Sequence, residues 1–189
     1  MLVSKKFANM KTNKILISVI FFLLTICSLA QDTVLYKHIR VGGKTWIESF
    51  SKEWTTNSRN VRSLSLFPTD EAMNYGFAFR DSSNCIFIAG KDTLVISKFG
   101  QRTYHVDGQF IKVDGYITLD PSIDGSLGVF YNENLGIIHL VAYQWGNYMY
   151  LSDCKKVSKN FLDSVNHFLM NDSTFYFYHR YPLLPPSPK

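Results

Sequence analysis

The chain lacks every short motif that would announce an activity. It has no Gly-x-Ser-x-Gly nucleophile elbow, no His-Glu-x-x-His metal helix and no Walker loop. Cysteine is scarce: there are three, and Cys27 falls within the N-terminal apolar run. A disulfide-dense miniature fold is thereby excluded, and Cys85, Cys154 and the scattered histidines have no metal-ligand spacing. No cofactor is expected. An excess of one charge is missing too. Of 20 Lys and Arg, four precede residue 31, and all 15 Asp and Glu follow it, which leaves the remainder at +1. Such a balance lacks the basic stripe that nucleic acid requires, so no nucleic-acid partner is expected. After residue 30 no apolar run approaches the length of a membrane-spanning helix.

What is present begins with an address. Lys5, Lys6, Lys11 and Lys14 lead into residues 15–27, which contain no charge, Gly or Pro, and Ser28-Leu29-Ala30 supplies small residues at the two cleavage positions. The run is shorter than the roughly 20 apolar residues of a bilayer span. This pattern predicts a signal peptide over 1–30, cleavage after Ala30 and an exported protein, periplasmic or secreted. Met10 onward is already a complete signal, so Met10 is the alternative start to Met1. Ile26 occupies the small-residue position of a lipobox, which argues against lipidation at Cys27. In an oxidising compartment, Cys85 and Cys154 are expected to form a disulfide; two separately buried thiols are the alternative.

Residues 31–181 read as a single β-rich domain. Segment 34–58 is ambiguous, because Trp46, Phe50 and Trp54 fall at a spacing of four, which a helix would also use. From residue 61 the pattern is clearly β, with short runs at 61–67, 75–79, 85–89, 93–99, 102–106, 109–113, 116–119, 127–131, 137–143 and 148–151. Gly90-Lys91-Asp92, Gly100-Gln101, Asp107-Gly108, Asp114-Gly115, Asp124-Gly125 and Gly146-Asn147 separate them as tight turns. Asp114-Gly115 fits a bulge within one long strand equally well. Over 155–170, Val157, Phe161, Val165, Phe168 and Leu169 form an apolar helical stripe, with Lys156, Lys159, Asp163 and Asn166 between them. Residues 174–178 follow as a last aromatic strand, and the Pro-rich tail 182–189 is expected to be mobile. The expected fold is α+β, mainly antiparallel: a meandering sheet with one C-terminal amphipathic helix and a final strand.

Few residues point to chemistry. Residues 120–126 match the first half of a calcium loop, but Tyr131 stands where a bidentate Glu is needed and Glu133 comes two residues late. His38, His105, His139, His167 and His179 are dispersed; His139 is expected to be a hydrogen-bonded, half-buried imidazole. Asp107, Asp114 and Asp120 would serve glycoside hydrolysis only if the fold converged them, and each lies beside an expected turn. Aromatic residues say more. Tyr143, Trp145, Tyr148 and Tyr150 flank the turn at Gly146-Asn147, and Tyr and Trp join apolar area to a polar handle. They are the candidate binding residues.

The signal ending Ser28-Leu29-Ala30-Gln31, with Asn134-Leu135-Gly136-Ile137-Ile138 leading to Trp145 and Leu151, resembles small exported uncharacterised proteins of Bacteroidota bacteria, a likeness that implies no activity. The strand-rich order with a late helix and last strand is similar to lipocalin-like β-barrels, the alternative fold, although Gly43-Lys44-Thr45-Trp46 is one residue longer than that family's Gly-x-Trp start. Three functions remain open. The leading one is an exported non-catalytic binding or interaction module for a protein or glycan. The others are a carrier of a small apolar ligand in a barrel, and a secreted hydrolase acting on carbohydrate.

Overall fold

Alternation of inward apolar and outward polar residues builds this domain. The computed structural model describes residues 32–40, 42–58, 61–68, 74–79, 83–118, 126–143 and 146–176. The expected signal segment 1–30, residues 120–125, Trp145 and the tail 182–189 lie outside them. Among the described residues ten strands are formed: β1 (Asp32–Ile39), β2 (Thr45–Thr56), β3 (Arg62–Pro68), β4 (Tyr75–Phe79), β5 (Asn84–Ala89), β6 (Asp92–Val106), β7 (Gln109–Ile117), β8 (Leu127–Asn132), β9 (Gly136–Ala142) and β10 (Asn147–Cys154). Each pairs antiparallel with its neighbours in sequence, and β1 pairs with both β2 and β10. The expected open meander is therefore closed into a barrel, because β1 satisfies the backbone groups on both of its edges. Closure agrees with the barrel alternative, but ten strands exceed the roughly eight of lipocalins.

The ambiguous segment around Trp46 is strand β2. Its register sets Trp46 opposite His38, Glu48 opposite Tyr36 and Phe50 opposite Val34, on the inner face. Lys52 and Trp54 continue that face opposite Leu66 and Leu64. Toward the end where β2 meets β3 the barrel is plugged by rings. Phe79 stacks on Tyr131 at 4.2 Å, Trp54 meets Tyr131 edge-on at 6.1 Å, and the Arg62 guanidinium lies 4.0 Å over Trp54. Lys52, almost fully buried, donates from Nζ to the Leu135 carbonyl at 3.2 Å. Phe50, Leu64, Leu66 and Phe77 fill the middle and are wholly shielded from water.

Two of the expected turns are not turns. Gly100 pairs with Gly115 and Gln101 with Asp114, inside one long ladder between β6 and β7, with a register shift between Lys98 and Gly100. Asp107-Gly108 is the real hairpin, with φ of +48° and +78° at its two central residues. The facing glycines leave a slot on the barrel's outer surface that the Phe99 and Phe175 rings occupy, 5.3 Å apart. A Cβ on Gly115 would meet Phe99 Cε1 at 2.7 Å and Phe175 Cε2 at 3.0 Å. Gly115→Val is therefore expected to cost about 1–3 kcal/mol through overpacking. Urea unfolding of the two proteins checks this; an unchanged midpoint would mean the rings do not sit in the slot.

Among the described residues one helix, α1 (Lys159–Asn171), packs on the outside of the barrel, where Ser158 caps it by accepting from the Phe161 N–H at 3.2 Å. It starts four residues later than its stripe suggested. Its buried face is Phe161, Leu162, Val165, Asn166 and Leu169, whereas Phe168 is 46% exposed. Asn166 is on the buried side because it holds the helix to the barrel. Its Nδ2 donates to the Leu151 carbonyl, and its Oδ1 lies 2.9 Å from His139 Nε2. His139 Nδ1 contacts the Tyr176 hydroxyl at 2.9 Å, so both ring nitrogens are satisfied inside a fully buried cluster. The expected final strand is absent from the described part of that segment. Asp172 Oδ1 instead accepts from the Thr174 and Phe175 N–H groups, winding residues 173–175 into a turn that tucks Phe175 and Tyr176 against the sheet. Residues 177 and 178 lie outside the described residues.

Cys85 and Cys154 are separate, buried, free thiols, which corrects the expected bridge. Topology explains this: β5 and β10 stand five strands apart whichever way round the barrel one counts. Burial pushes the Cys85 thiol up to about 12, so it packs as a protonated apolar group.

Candidate functional site

The end of the barrel opposite the aromatic plug is hollow. A cavity of about 580 Å³ opens there, among the ends of β1, β2, β4, β5, β8, β9 and β10. Strand register explains its membership. His38 pairs with both Trp46 and Met149, Met149 with Leu140, and Leu127 with Ala142, so these side chains share the inner face. Tyr75 and Phe87 close the opposite wall, stacked with centroids 6.0 Å apart. The void survives because small Ala89 and Ala142 stand where a larger residue would fill it.

Its polar side chains are few, and two of them, His38 and Glu48, lie close together. Glu48 projects inward between Trp46 and Phe50, and its Oε2 lies 3.0 Å from His38 Nε2. That approach is off the N–H line, and His38 Nε2 is buried with no hydrogen-bond partner. Asn147 Oδ1 is likewise buried in the cavity wall without a partner. The His38 ring stacks on Trp46 at 4.8 Å and an interplanar angle of 11°. Burial lowers the His38 imidazole below its ordinary range, and it raises the Tyr75 phenol, with Glu48 adding to the rise. Both groups are therefore neutral hydrogen-bonding groups rather than charges.

Of the four aromatic residues singled out in the sequence, Tyr148 lines the cavity. Tyr143 is buried with its ring over Gly128, and Tyr150 stacks on His139 at 5.6 Å on the outer face. Trp145 lies outside the described residues. The hydrolytic carboxylates are not brought together: Asp107 sits in the exposed β6–β7 hairpin, Asp114 is bound by Lys98 Nζ at 2.8 Å, and Asp120 is outside the described residues. Among the described residues, no group of three His, Cys, Asp or Glu side chains converges to hold a metal ion. His105 is exposed against Phe110, and His167 is exposed on α1.

Sequence reasoning missed His38, Trp46, Glu48, Tyr75 and Asn147 as a group, since each comes from a different strand or from a segment whose period was ambiguous. One signal was available: in a strand reading of 45–56, a carboxylate at 48 shares a face with two large aromatics. In comparisons with family models, curated proteins and solved structures, nothing matches the chain, and the site's reading rests on its geometry.

Proposed function

We propose that this protein is a non-catalytic carrier or receptor that takes a small, largely apolar ligand into the open end of its barrel. The observation that carries this reading is the cavity itself: a void of about 580 Å³, walled by Trp46, Tyr75, Phe87, Leu127, Leu140 and Met149, within a fully paired barrel. Ligand sites have this form, an apolar concavity of a few hundred cubic ångströms or more with a small number of polar groups. An empty space of this size would otherwise cost packing energy, which the sequence could have recovered with larger residues at Ala89 or Ala142. Polar Ser49, Ser51, Glu53, Ser63 and Ser65 on the outer faces of β2 and β3 support a barrel that faces water, the reverse of a membrane-spanning one. The basic flank and apolar run of residues 1–30 support export of the carrier.

Nile red, a neutral apolar dye whose emission reports its surroundings, tests the reading. It should bind saturably at one site and quench Trp46, which is at the cavity wall. Ala142→Trp and, separately, Ala89→Phe fill the void and are each expected to weaken binding by about tenfold or more, the loss of roughly 1.4 kcal/mol of contact. Unchanged dye affinity in a folded filled variant would sink the cavity as the site.

A further inference from the structure

The cavity wall offers no charge to a ligand. Among its described lining residues there is no lysine or arginine, and the carboxylate of Glu48 is engaged within the protein, with Oε2 3.0 Å from His38 Nε2 and a further interaction besides. His38 adds no positive charge, because burial favours its neutral form. An ammonium would have to compete for Glu48 and a carboxylate would face it, so either ion would leave its water without gaining a counter-ion. What the wall does hold open is an acceptor. Asn147 Oδ1 is buried without a hydrogen-bond partner, and the terminal torsion of Asn is soft enough to turn that oxygen toward an occupant. Asn147 is the first residue of β10, and both it and Leu127 pair with Ala142, so a small side chain stands beside the amide on the inner face. Leu140 and Met149, which pair with each other, lie one step further along the same face. A buried acceptor left unpaired costs free energy, which a donor carried by the ligand would recover.

Resting on the carrier reading, we propose that the ligand is an uncharged amphiphile with a hydroxyl head group, its O–H donating to Asn147 Oδ1 and its hydrocarbon part running past Leu140 and Met149. A hydroxyl brings the donor that this wall lacks and brings no charge with it. An ether or ester oxygen only accepts, and would leave Asn147 Oδ1 unpaired. The apolar chain lies against the side chains that make up most of the wall.

Decanol and methoxynonane are isomers that differ in the O–H, and decylammonium and decanoate put a charge of either sign on a chain of similar length. Competition of each against Nile red, on the full chain at neutral pH, is expected to rank decanol first, about fivefold ahead of the ether and further ahead of both ions. A merely apolar void would give the isomers in the reverse order, because the ether leaves water more readily. Asn147→Leu removes the acceptor and should produce that reverse order. If Asn147→Leu does not fold, the wild-type ranking decides alone. The ether binding as tightly as decanol, either ion binding ahead of decanol, or a decanol preference that survives Asn147→Leu would overturn the head-group assignment while leaving the carrier reading intact. Dye binding that none of the four displaces would do the same. Failure of all four ligands and of the dye would overturn both.

Discussion

Phe161→Ala is expected to lower the unfolding free energy by about 3–5 kcal/mol, as the loss of a large buried ring does when neighbours cannot collapse into the space. Phe161 is 7% exposed at the first turn of α1, directly after the Ser158 cap, so its ring fixes where the helix meets the barrel. Leu162, Val165 and Leu169 continue that face and are wholly buried. Two controls separate packing from helix propensity. Lys159→Ala, at an exposed position of the same turn, should stay within about 0.5 kcal/mol. Phe168→Ala, at a ring that the sequence stripe placed inside but the structure leaves 46% exposed, should cost far less than Phe161→Ala. Urea denaturation of the three variants measures all of this. Equal losses at Phe161 and Phe168 would mean that the helix is rotated from the described position.

The way Phe168 and Asn166 exchange places shows what hydrophobic periodicity can and cannot resolve. It found one amphipathic helix near the C-terminus and, from residue 61 on, a run of short antiparallel strands, because both repeats follow from burying one face. It could not find the exceptions in which a polar residue faces inward. Asn166 is buried because two partners outside the helix, His139 and the Leu151 carbonyl, satisfy its amide. The same failing hid β2. Its inner face reads Trp46, Glu48, Phe50, Lys52, Trp54, and the two charged members turned an alternating pattern into an apparent spacing of four. Glu48 is inward because a cavity lies beside it, and Lys52 because the Leu135 carbonyl receives it.

Glycine misled in the opposite direction. Gly100 and Gly115 read as turn signals, yet their role is to let two aromatic rings lie on the sheet, a requirement set by Phe99 and by Phe175 far along the chain. Closure of the barrel is just as non-local, since it depends on the pairing of the first strand with the tenth. The cavity compounds these difficulties. It is defined by the absence of large residues at Ala89 and Ala142 as much as by the presence of Trp46 or Glu48, and no local pattern marks an unfilled interior.

Stability is expected to fall by roughly 3 kcal/mol as pH drops from 6.5 to about 4, with His139 as the cause. Burial, opposed by its hydrogen bond with Asn166, lowers His139 from an ordinary 6.5 to about 4. In the unfolded chain the imidazole regains its ordinary affinity for protons. Between those two values the unfolded state therefore holds a proton that the native state refuses, and acid favours unfolding at about 1.4 kcal/mol per pH unit. Above the ordinary value neither state is protonated, and this contribution to native stability is fully present; it is lost as pH falls through the interval. His38, also lowered by burial, adds a slope of the same sign. His139→Gln keeps a neutral hydrogen-bonding group between Asn166 and Tyr176 and has no proton to gain. It should remove one proton's worth of slope from the pH dependence while leaving the part due to His38. Urea unfolding at several pH values down to about 5, above the range where ordinary carboxylates titrate, reads this slope directly. A His139→Gln protein whose stability declines with acid as steeply as the wild type would show that His139 titrates normally, and that the contact between helix and barrel does not depend on a neutral imidazole.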